Sequence, residues 1–577
     1  GAVMRVLPKE MAAAKNSPPC VVLAPYFKHI TDLDALKAKG RINTYATRLS
    51  FCFAVRGRPH RVEVTEVTGA SGVTTFLLAA EHFFTAPRNP YMTPCDPTRP
   101  LDPYRNPNNP ARLTEDALFF CTAVPIALAE LRKEKALPSS SLILHLQDWE
   151  TACVAPALRQ VPTAPAFSSI RCVLTLHNPY DRYLSPAESP VVADLITHLG
   201  LRSDNVLAQT LPLVGKTLST VSRNFAEELR RDPLHTHVFA PHLQKPLAQK
   251  TLVGIDNGLF GTKTFPFSRK ARRDAEKTPS DFRTLQQEKR QRRLALADAL
   301  DAEHRDPAAT KEQAGESETW GAALELTDPA MPVFLIPGRD DPRQKGFDVV
   351  AEAIRHIPTG RARYVFTPMP GDEGLVGLRF LQDLAEERPG EVKVFPFRLP
   401  PETFRALQRG SSFMVMASLY EPFGAATEAY LAGMPVVARA TGGLAQQVAP
   451  YRKDRYLSLH GQWLAARYHH RDQKPTGFLF REHALRSHDE VQGWRHIAAC
   501  GYWHQNPKGD RIADRTGTLL FDAMVKSAAQ ALQDAIDLYS SDQRGYAEMI
   551  YNGFRLLERF SWKRTIRHYR RLLYTSP

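Results

Sequence analysis

The chain of 577 residues contains no apolar run that approaches the roughly 20 residues of a membrane-spanning helix. Residues 1–19 also lack the apolar core of a secretory signal peptide. The seven cysteines show neither the spacing of metal ligands nor that of a redox pair, and they lie at Cys20, Cys52, Cys95, Cys121, Cys153, Cys172 and Cys500. These absences argue against a membrane-spanning or disulfide-stabilised protein and predict an intracellular, cytoplasmic one.

The net charge is strongly positive, +14 at pH 7, which would suit a polyanionic partner. No signature of a nucleic-acid-binding fold occurs, so we expect no specific nucleic-acid partner. Residues 269–293 carry ten basic and four acidic side chains, and therefore a net charge of +6. This segment is either a solvated helical insertion or an electrostatic dock for an anionic membrane or partner.

Segments typical of buried strands alternate with segments that have the apolar spacing of helices. The strand-containing segments are residues 20–27, 47–80, 142–152, 170–181, 331–357, 361–374 and 391–398. Helical spacing is clear at 111–137, whereas the proline-rich residues 96–110 must be irregular. Strands separated by helices favour a parallel α/β sheet. The length and the 43% of hydrophobic residues allow two to four domains with sizeable cores.

The most informative stretch spans residues 413–444. A predicted strand at 413–417 is followed by a turn, a helix at 425–432, a strand at 436–438 and a glycine loop. This is a β-α-β unit, and open α/β sheets bind ligands in the loops at the carboxyl ends of their strands. Small residues near the helix N-terminus favour a phosphate, while Glu421 and Glu428 suit sugar or ribose hydroxyls. The pattern predicts nucleotide-sugar binding. The alternative is a generic β-α-β crossover in which the two glutamates lie on the surface without a binding role.

A second candidate loop follows the strand pattern at 331–337. It contains Gly338, Arg339 and Lys345. Two cations in one loop suit a diphosphate, because both can neutralise the charge that grows on a leaving group. Taken singly, either cation could equally be a solvated charge in a turn.

The stretch 418–444 resembles the donor site of retaining glycosyltransferases with the GT-B fold, above all the glycogen and starch synthases. Other segments resemble that family in the same order along the chain, namely residues 20–27, 145–152, 174–178, 218–229, 252–260, 338–346 and 476–480. In the His145-Leu146-Gln147-Asp148-Trp149 segment, Gln147 stands where the family has a second histidine.

The resemblance implies a role for each matched residue. Glu421 is expected to face the donor hexose, Glu428 the nucleotide ribose and His177 the transferred sugar. Backbone N–H groups of the glycine loop are expected to meet the diphosphate. The implied catalytic residues are His177, Arg339, Lys345 and Glu421. The implied donor-binding residues are Gly338, Gly424, Glu428, Thr441, Gly442, Gly443 and Leu444. The implied acceptor-side residues are Asp148, Asn178 and Asn257.

Three departures from the family pattern stand out. Six residues separate Glu421 from Glu428 where the family usually has seven, and one residue rotates a helical position by about 100°. The Lys-x-Gly-Gly-Leu loop and its strand are absent, so we expect residues 3–7, or a strand from elsewhere, to complete the first sheet. Residues 450–475 look like an insertion.

The resemblance implies a GT-B architecture, with two Rossmann-like α/β domains facing across a cleft. The predicted boundaries are 1–262 for the acceptor-side domain, 263–330 for a charged interdomain insertion, 331–555 for the nucleotide-sugar domain and 556–577 for a returning helix. The implied function is retaining transfer of a hexosyl group, glucosyl in the first instance, from an ADP- or UDP-sugar to an oligo- or polysaccharide. No metal or other cofactor is expected. The alternatives are a lipid-linked or protein acceptor, or a non-catalytic binding protein.

Overall fold

The computed structural model describes residues 2–15, 19–29, 31–85, 111–138, 141–160, 170–305, 319–326, 328–369, 377–451, 457–499, 504–505, 511–512 and 515–575. The chain forms two compact units. Unit 1 contains the described residues up to Phe260 and, in addition, those from Trp562 onward. Unit 2 contains the described residues from Gly261 to Ser561.

The first sheet of unit 1 is mixed. Its strands are β1 (Val21–Pro25), β2 (Ile42–Val55), β3 (Arg58–Gly69) and β4 (Thr74–Ala80), in the order β1-β4-β3-β2. β1 runs parallel to β4, and the other neighbours are antiparallel. Arg56 and Gly57 join β2 to β3 with φ values of 54° and 69°. Positive φ at both central residues matches the twist of a two-residue hairpin.

The second sheet of unit 1 is entirely parallel, as the alternation of strands and helices predicted. Its strands are β5 (Leu142–Gln147), β6 (Ile170–Leu176), β7 (Thr217–Thr220) and β8 (Thr251–Gly254), in that order. The α-helices of unit 1 are Ala2–Ala13, Leu33–Ala38, Arg112–Lys133, Asp148–Ala152, Val154–Gln160, Pro190–His198, Val206–Thr210, Arg223–Arg231, Gln244–Ala248 and Trp562–His568.

The N-terminal segment corrects one prediction. Residues 3–7 were expected to form a strand, but they lie in the helix Ala2–Ala13. Leu7 and Met11 are four residues apart on one face of this helix, and both are buried. They belong to a buried cluster that also contains Val173, Ile255, Trp562, Ile566, Tyr569 and Leu573. A short apolar run fits either a strand or a helix, and packing against the end of the chain makes this one a helix.

The expected replacement strand is also wrong for the described part of the chain. There, β1 pairs only with β4, and β5 pairs only with β6, so each is an edge strand of its own sheet. Both edges carry exposed apolar side chains, with Val21 37% and Ile143 42% accessible.

Unit 2 is built on a six-stranded parallel sheet. Its strands are β9 (Val333–Arg339), β10 (Arg363–Met369), β11 (Val392–Val394), β12 (Phe413–Met416), β13 (Val436–Arg439) and β14 (Gly477–Phe480). Their order is β11-β10-β9-β12-β13-β14, so the direction in which strands are added reverses between β9 and β12. Such a topological switch point leaves a crevice at the carboxyl ends of the two strands, where open α/β sheets bind ligands.

Helices cover this sheet and end the unit. They are Arg269–Ala275, Arg283–Arg305, Phe347–Arg355, Arg379–Glu387, Pro401–Gly410, Ala426–Ala432, Leu444–Gln447, Leu459–Tyr468, Ser487–Ala499, Leu519–Ser541 and Gln543–Leu556. A small antiparallel pair is formed by β15 (His504–Gln505) and β16 (Arg511–Ile512). Among the described helices, none is long and apolar enough to cross a lipid bilayer.

The basic segment 269–293 contributes to the helices Arg269–Ala275 and Arg283–Arg305, but part of its charge points inward. Lys289 is buried and donates to the carbonyl oxygens of Arg409 and Ser411, at 3.0 and 2.6 Å. Arg293 is also buried, and the guanidinium of Arg292 lies 4.1 Å from the ring centre of Phe267. These cations serve packing within unit 2. An electrostatic dock stays a prediction that now concerns the exposed members alone, such as Lys270 and Arg273.

Candidate active site

The two central strands of unit 2 bring the two predicted donor loops together. β9 ends at Arg339, and the next loop leads to the helix that begins at Phe347. The amide of Leu419, after β12, donates to the carbonyl of Gln344 at 2.7 Å and so joins the loops. Gly346 has φ of 58°, and a Cβ at this position would overlap the carbonyl oxygen of Ala417. The glycine therefore allows the close approach of the two loops.

Lys345 and Glu421, predicted as catalytic from separate segments, form an ion pair. Lys345 Nζ lies 2.7 Å from Glu421 Oε2, with side-chain exposures of 16% and 11%. Ser418 Oγ donates to the same carboxylate oxygen at 2.9 Å. Both contacts use Oε2, so Oε1 is the oxygen of Glu421 without a hydrogen bond in the described part of the chain.

Gly338 and Arg339 lie beside this pair. A Cβ on Gly338 would lie 3.5 Å from Lys345 Cδ and 3.2 Å from Phe347 Cζ, so the stem of the lysine passes over this glycine. Arg339 is exposed at the end of β9. The loops at the switch point therefore contain Arg339, Lys345 and Glu421, together with Asp340, Asp341 and Arg343.

The glycine loop after β13 packs on the turn that contains Glu421. A Cβ on Gly442 would overlap the carbonyl oxygen of Glu421, and one on Gly443 would overlap that of Phe423. The amide of Gly443 donates to the carbonyl of Glu421 at 2.9 Å, and that of Thr441 to Arg439 at 2.9 Å. These two N–H groups, predicted to meet a diphosphate, bind within the protein in this conformation. The glycines are needed for loop-to-loop packing.

Glu428 lies in the first turn of the helix Ala426–Ala432. Its side chain is exposed, yet the surrounding protein desolvates the carboxylate and raises its pKa above the ordinary value. Tyr430, two residues later, points into the core, where its hydroxyl donates to the carbonyl of Gln447 at 3.0 Å. At the start of this segment, Gly424 has φ of 90° and approaches Leu444 closely.

Buried arginines lie behind the donor loops, and no sequence pattern predicts them. Arg439 donates to Glu482 Oε2 at 2.8 Å and to the carbonyl of Leu419 at 2.6 Å. Arg481 donates to the carbonyl of Ala440 at 3.0 Å. Burial alone would raise the pKa of Glu482, but Arg439 and Arg481 lower it to about 2. Arg439 and Arg481 therefore hold the backbone of the loop after β12 and of the loop after β13.

A third arginine holds the loop between β9 and its helix. Arg515 donates to Asp348 Oδ2 at 2.7 Å and to the carbonyl of Pro342 at 2.5 Å. Both side chains are almost completely buried, at 1% and 3% exposure. The ion pair thereby links the start of the helix to the loop that carries Lys345.

In unit 1, Asp148 brings together the predicted residues that follow β5 and β6. Asp148 Oδ1 accepts from the amide of His177 at 2.6 Å, and Oδ2 accepts from Asn178 Nδ2 at 3.3 Å. Asp148 has φ of 56°, a left-handed conformation that is unusual for a residue with a side chain. Burial raises the pKa of Asp148 to about 8.

Two histidines in this region are neutral at pH 7. Burial lowers the pKa of His145 to about 3 and that of His177 to about 4. His145 contacts Thr175 Oγ1 at 2.6 Å and the Tyr574 hydroxyl at 2.9 Å. His177 Nε2 lies 2.7 Å from Gln147 Oε1. The residue that replaces a family histidine is thus the direct partner of the predicted catalytic histidine.

Asn257 lies in the loop after β8, where the neighbouring Gly258 packs closely against Trp562. Its side chain is buried, and its Oδ1 has no hydrogen-bond partner among the described residues. In the same part of the chain, no group of three or more His, Cys, Asp or Glu side chains is arranged to hold a metal ion.

Two family models match separate parts of the chain. Residues 1–245 match the family model of the starch synthase catalytic domain, and residues 295–462 match that of family 4 glycosyltransferases in conflict systems. The chain is 27% identical over 426 residues to a glycogen synthase of Alkalilimnicola ehrlichii, covering 71% of this chain and 74% of that protein. It is 24% identical over 443 residues to glycogen synthase 2 of Nitrosococcus oceani, covering 74% and 76%.

A solved structure shares the fold. The catalytic domain of starch synthase IV from Arabidopsis thaliana, bound to ADP and acarbose, matches with a TM-score of 0.61 and 17% identity. The match covers 96% of this chain and 98% of that one. Together with the parallel sheets, these similarities indicate a glycosyltransferase that has the GT-B fold and is similar to the glycogen and starch synthases.

Proposed function

We propose that the protein transfers a hexosyl group from a nucleotide sugar to a glycan hydroxyl with retention of the anomeric configuration. The observation that carries this proposal is the ion pair of Lys345 with Glu421 at the switch point of the unit 2 sheet. It places a cation and a hydroxyl-binding carboxylate in the loops where an α/β sheet binds its ligand.

The donor is held by complementary charges. Lys345 and Arg339 neutralise the diphosphate, and both contributions grow as negative charge develops on the leaving group. Glu421 keeps Oε2 for Lys345 and Ser418 and offers Oε1 to a hydroxyl of the donor sugar. Glu428 binds the ribose, whose hydroxyls donate hydrogen bonds to its exposed carboxylate.

We infer that the reaction needs no metal ion. Metal ions commonly serve phosphate transfer by neutralising the charge of the phosphates. Here Arg339 and Lys345 supply that charge from one loop, and Arg515 holds the loop in place.

The transfer is a front-face substitution at the anomeric carbon. The bond from this carbon to the leaving phosphate oxygen breaks, and the bond to the acceptor oxygen forms on the same face of the sugar. The acceptor proton passes to the leaving phosphate oxygen, so no side-chain nucleophile is required.

Glucose is the proposed hexose, from an ADP- or UDP-linked donor, and an α-glucan is the proposed acceptor. Two relatives are called glycogen synthases, and the starch synthase structure contains ADP and acarbose. These names and ligands belong to the other proteins and support the choice of substrates to test first.

The test is a transfer assay with UDP- and ADP-glucose against glycogen and malto-oligosaccharides, measuring nucleoside diphosphate release and chain elongation. Lys345→Ala should lower turnover about a hundredfold or more, because one preorganised charge contact is lost. Lys270→Ala is the matched control, since Lys270 is an exposed lysine of the same unit, and it should keep full turnover.

Wild-type turnover in Lys345→Ala would refute the assignment of this loop to the diphosphate. Release of nucleoside diphosphate without elongation of any glucan would point instead to a lipid-linked or protein acceptor.

A further inference from the structure

The side chain of Gln447 is buried in unit 2 and contacts the chain just before the helix Ala426–Ala432. Its Nε2 donates to the carbonyl of Phe423 at 2.7 Å and lies 3.5 Å from the carbonyl oxygen of Gly424. An amide nitrogen can only donate and an amide oxygen can only accept, so the nitrogen must be the atom that faces these carbonyls. The side chain of Gln447 therefore holds the turn from which the helix starts.

The main chain of Gln447 holds the same helix at a second place. Its carbonyl accepts a hydrogen bond from the Tyr430 hydroxyl at 3.0 Å, and its amide donates to the carbonyl of Gly443 at 3.0 Å. Tyr430 follows Glu428 by two residues, whereas Gly424 precedes it by four. Gln447 thus contacts the chain on both sides of Glu428.

The two glutamates of the donor loops differ in what holds their carboxylates. Lys345 and Ser418 contact the carboxylate of Glu421 directly. No hydrogen bond or ion pair from the residues that the structure describes reaches the carboxylate of Glu428. The position of Glu428 therefore depends on where the helix Ala426–Ala432 begins and on how firmly this helix is held.

We propose that Gln447 is a positioning residue, which fixes the start of the helix Ala426–Ala432 and so places the Glu428 carboxylate for the ribose of the donor. The proposal rests on the proposed function, which assigns the ribose to Glu428. Gln447 is completely buried, so it acts through the backbone of the turn and not by touching the donor itself. Glu421 has its own side-chain contacts and keeps its place without Gln447.

The first test separates donor binding from turnover. Gln447→Met keeps the length of the side chain and removes its N–H groups. We expect KM for the nucleotide sugar to rise about tenfold, because one buried hydrogen bond is lost. The value of kcat should stay near that of the wild type, since the ribose contact serves the bound substrate and the transition state alike.

Gln462→Met is the matched control for this variant. Gln462 is a half-buried glutamine of unit 2, and its Nε2 donates to the carbonyl of Leu457 at 3.0 Å. The control removes the same kind of contact away from the donor loops. It should keep the wild-type KM.

A double-mutant cycle identifies the residue through which Gln447 acts, with nucleoside diphosphate binding measured by calorimetry. In a Glu428→Ala background, Gln447→Met should weaken binding little further, because the carboxylate that it positions is already absent. In a Glu421→Gln background, the same substitution should keep its full effect.

A second variant gives a pH signature. In Gln447→Glu a protonated carboxyl group can donate to the Phe423 carbonyl, whereas an ionised carboxylate cannot. Burial raises the pKa of a carboxyl group above its ordinary value. Relative to the wild type, KM of this variant should be nearly normal at low pH and rise as the pH increases through that pKa. Gln447→Met should show no such change.

The last measurement needs no substrate. The amides of Glu428 and Ala429 donate to the carbonyl of Ala425 at 3.0 and 3.3 Å, in the first turn of the helix. Hydrogen exchange of these amides, followed by mass spectrometry, should be faster in Gln447→Met than in the wild type and in Gln462→Met.

Unchanged hydrogen exchange in Gln447→Met would overturn the proposal. So would a fall in kcat with unchanged KM, or a full effect of Gln447→Met on binding in the Glu428→Ala background. Failure of the proposed function looks different, because the wild type would then transfer no sugar while exchange in the helix is still faster in Gln447→Met.

Discussion

At the scale of single residues, the two glutamates of the donor site differ in how firmly they are held. Glu421 is fixed by Lys345 and Ser418, whereas Glu428 is exposed and follows Glu421 after six residues where the family usually has seven. A fixed group loses less entropy when a ligand binds, so it contributes more to a preorganised site.

We therefore expect Glu421→Gln to lose more activity than Glu428→Gln in steady-state transfer assays. The amide would break the ion pair with Lys345 as well as the contact to the sugar hydroxyl. Equal or reversed losses would mean that Glu428 reaches the ribose despite the shorter spacing.

Gly442 carries a second prediction at this scale. Its conformation is left-handed, with φ of 43°, and a Cβ would overlap the carbonyl oxygen of Glu421. Gly442→Ala should push the glycine loop away from the Glu421 turn and abolish donor binding, measured by calorimetry with nucleoside diphosphates.

Gly360→Ala is the control for this variant. Gly360 also has positive φ, 77°, but a Cβ there would meet nothing within 4 Å. The substitution adds backbone strain of roughly 1 kcal/mol without a clash, so donor binding should persist. Equal binding by both variants would contradict the packing role of Gly442.

At the scale of secondary structure elements, buried ion pairs tie the donor loops to distant parts of unit 2. Arg515 precedes the long helix Leu519–Ser541 and reaches Asp348, at the start of the helix after β9. Arg515 therefore links the loop that carries Lys345 to the segment that leads into this long helix.

Removing one partner of the Asp348–Arg515 ion pair should lower the free energy of unfolding. Asp348→Ala leaves the Arg515 charge buried and uncompensated, which typically costs about 3–5 kcal/mol. We expect a clear fall in the unfolding midpoint of unit 2, and substantial recovery in the double variant Asp348→Leu with Arg515→Met. Glu276→Ala, which breaks an exposed pair with Arg272, should leave the midpoint nearly unchanged. Equal effects of Asp348→Ala and Glu276→Ala would contradict a structural role for the buried pair.

At the scale of the whole molecule, the sequence predicts those features of the fold that depend on local residue patterns. The parallel sheet of unit 2 was predictable because each apolar strand is followed by a loop with glycine or charged residues. Lys345 and Glu421 are predicted as site residues from separate segments, and their pairing depends on a strand order that only the structure shows.

The features that the sequence did not predict depend on residues far apart in the chain. Residues 3–7 form a helix because their apolar face meets the end of the chain, beyond the reach of any local pattern. Arg439 and Glu482 are 43 residues apart and Asp348 and Arg515 are 167 apart, so their pairing left no sequence signal. Gln147 was noted as a departure from the family, but its contact with His177 required two neighbouring strands in register.

The most direct test of retaining hexosyl transfer follows the reaction by proton NMR with an α-linked nucleotide glucose and a malto-oligosaccharide acceptor. Retaining transfer predicts that the first new signal is that of an α-linked glucosyl residue, which appears as the nucleoside diphosphate is released. A β-linked first product, or no transfer to any glycan from either nucleotide, would contradict it.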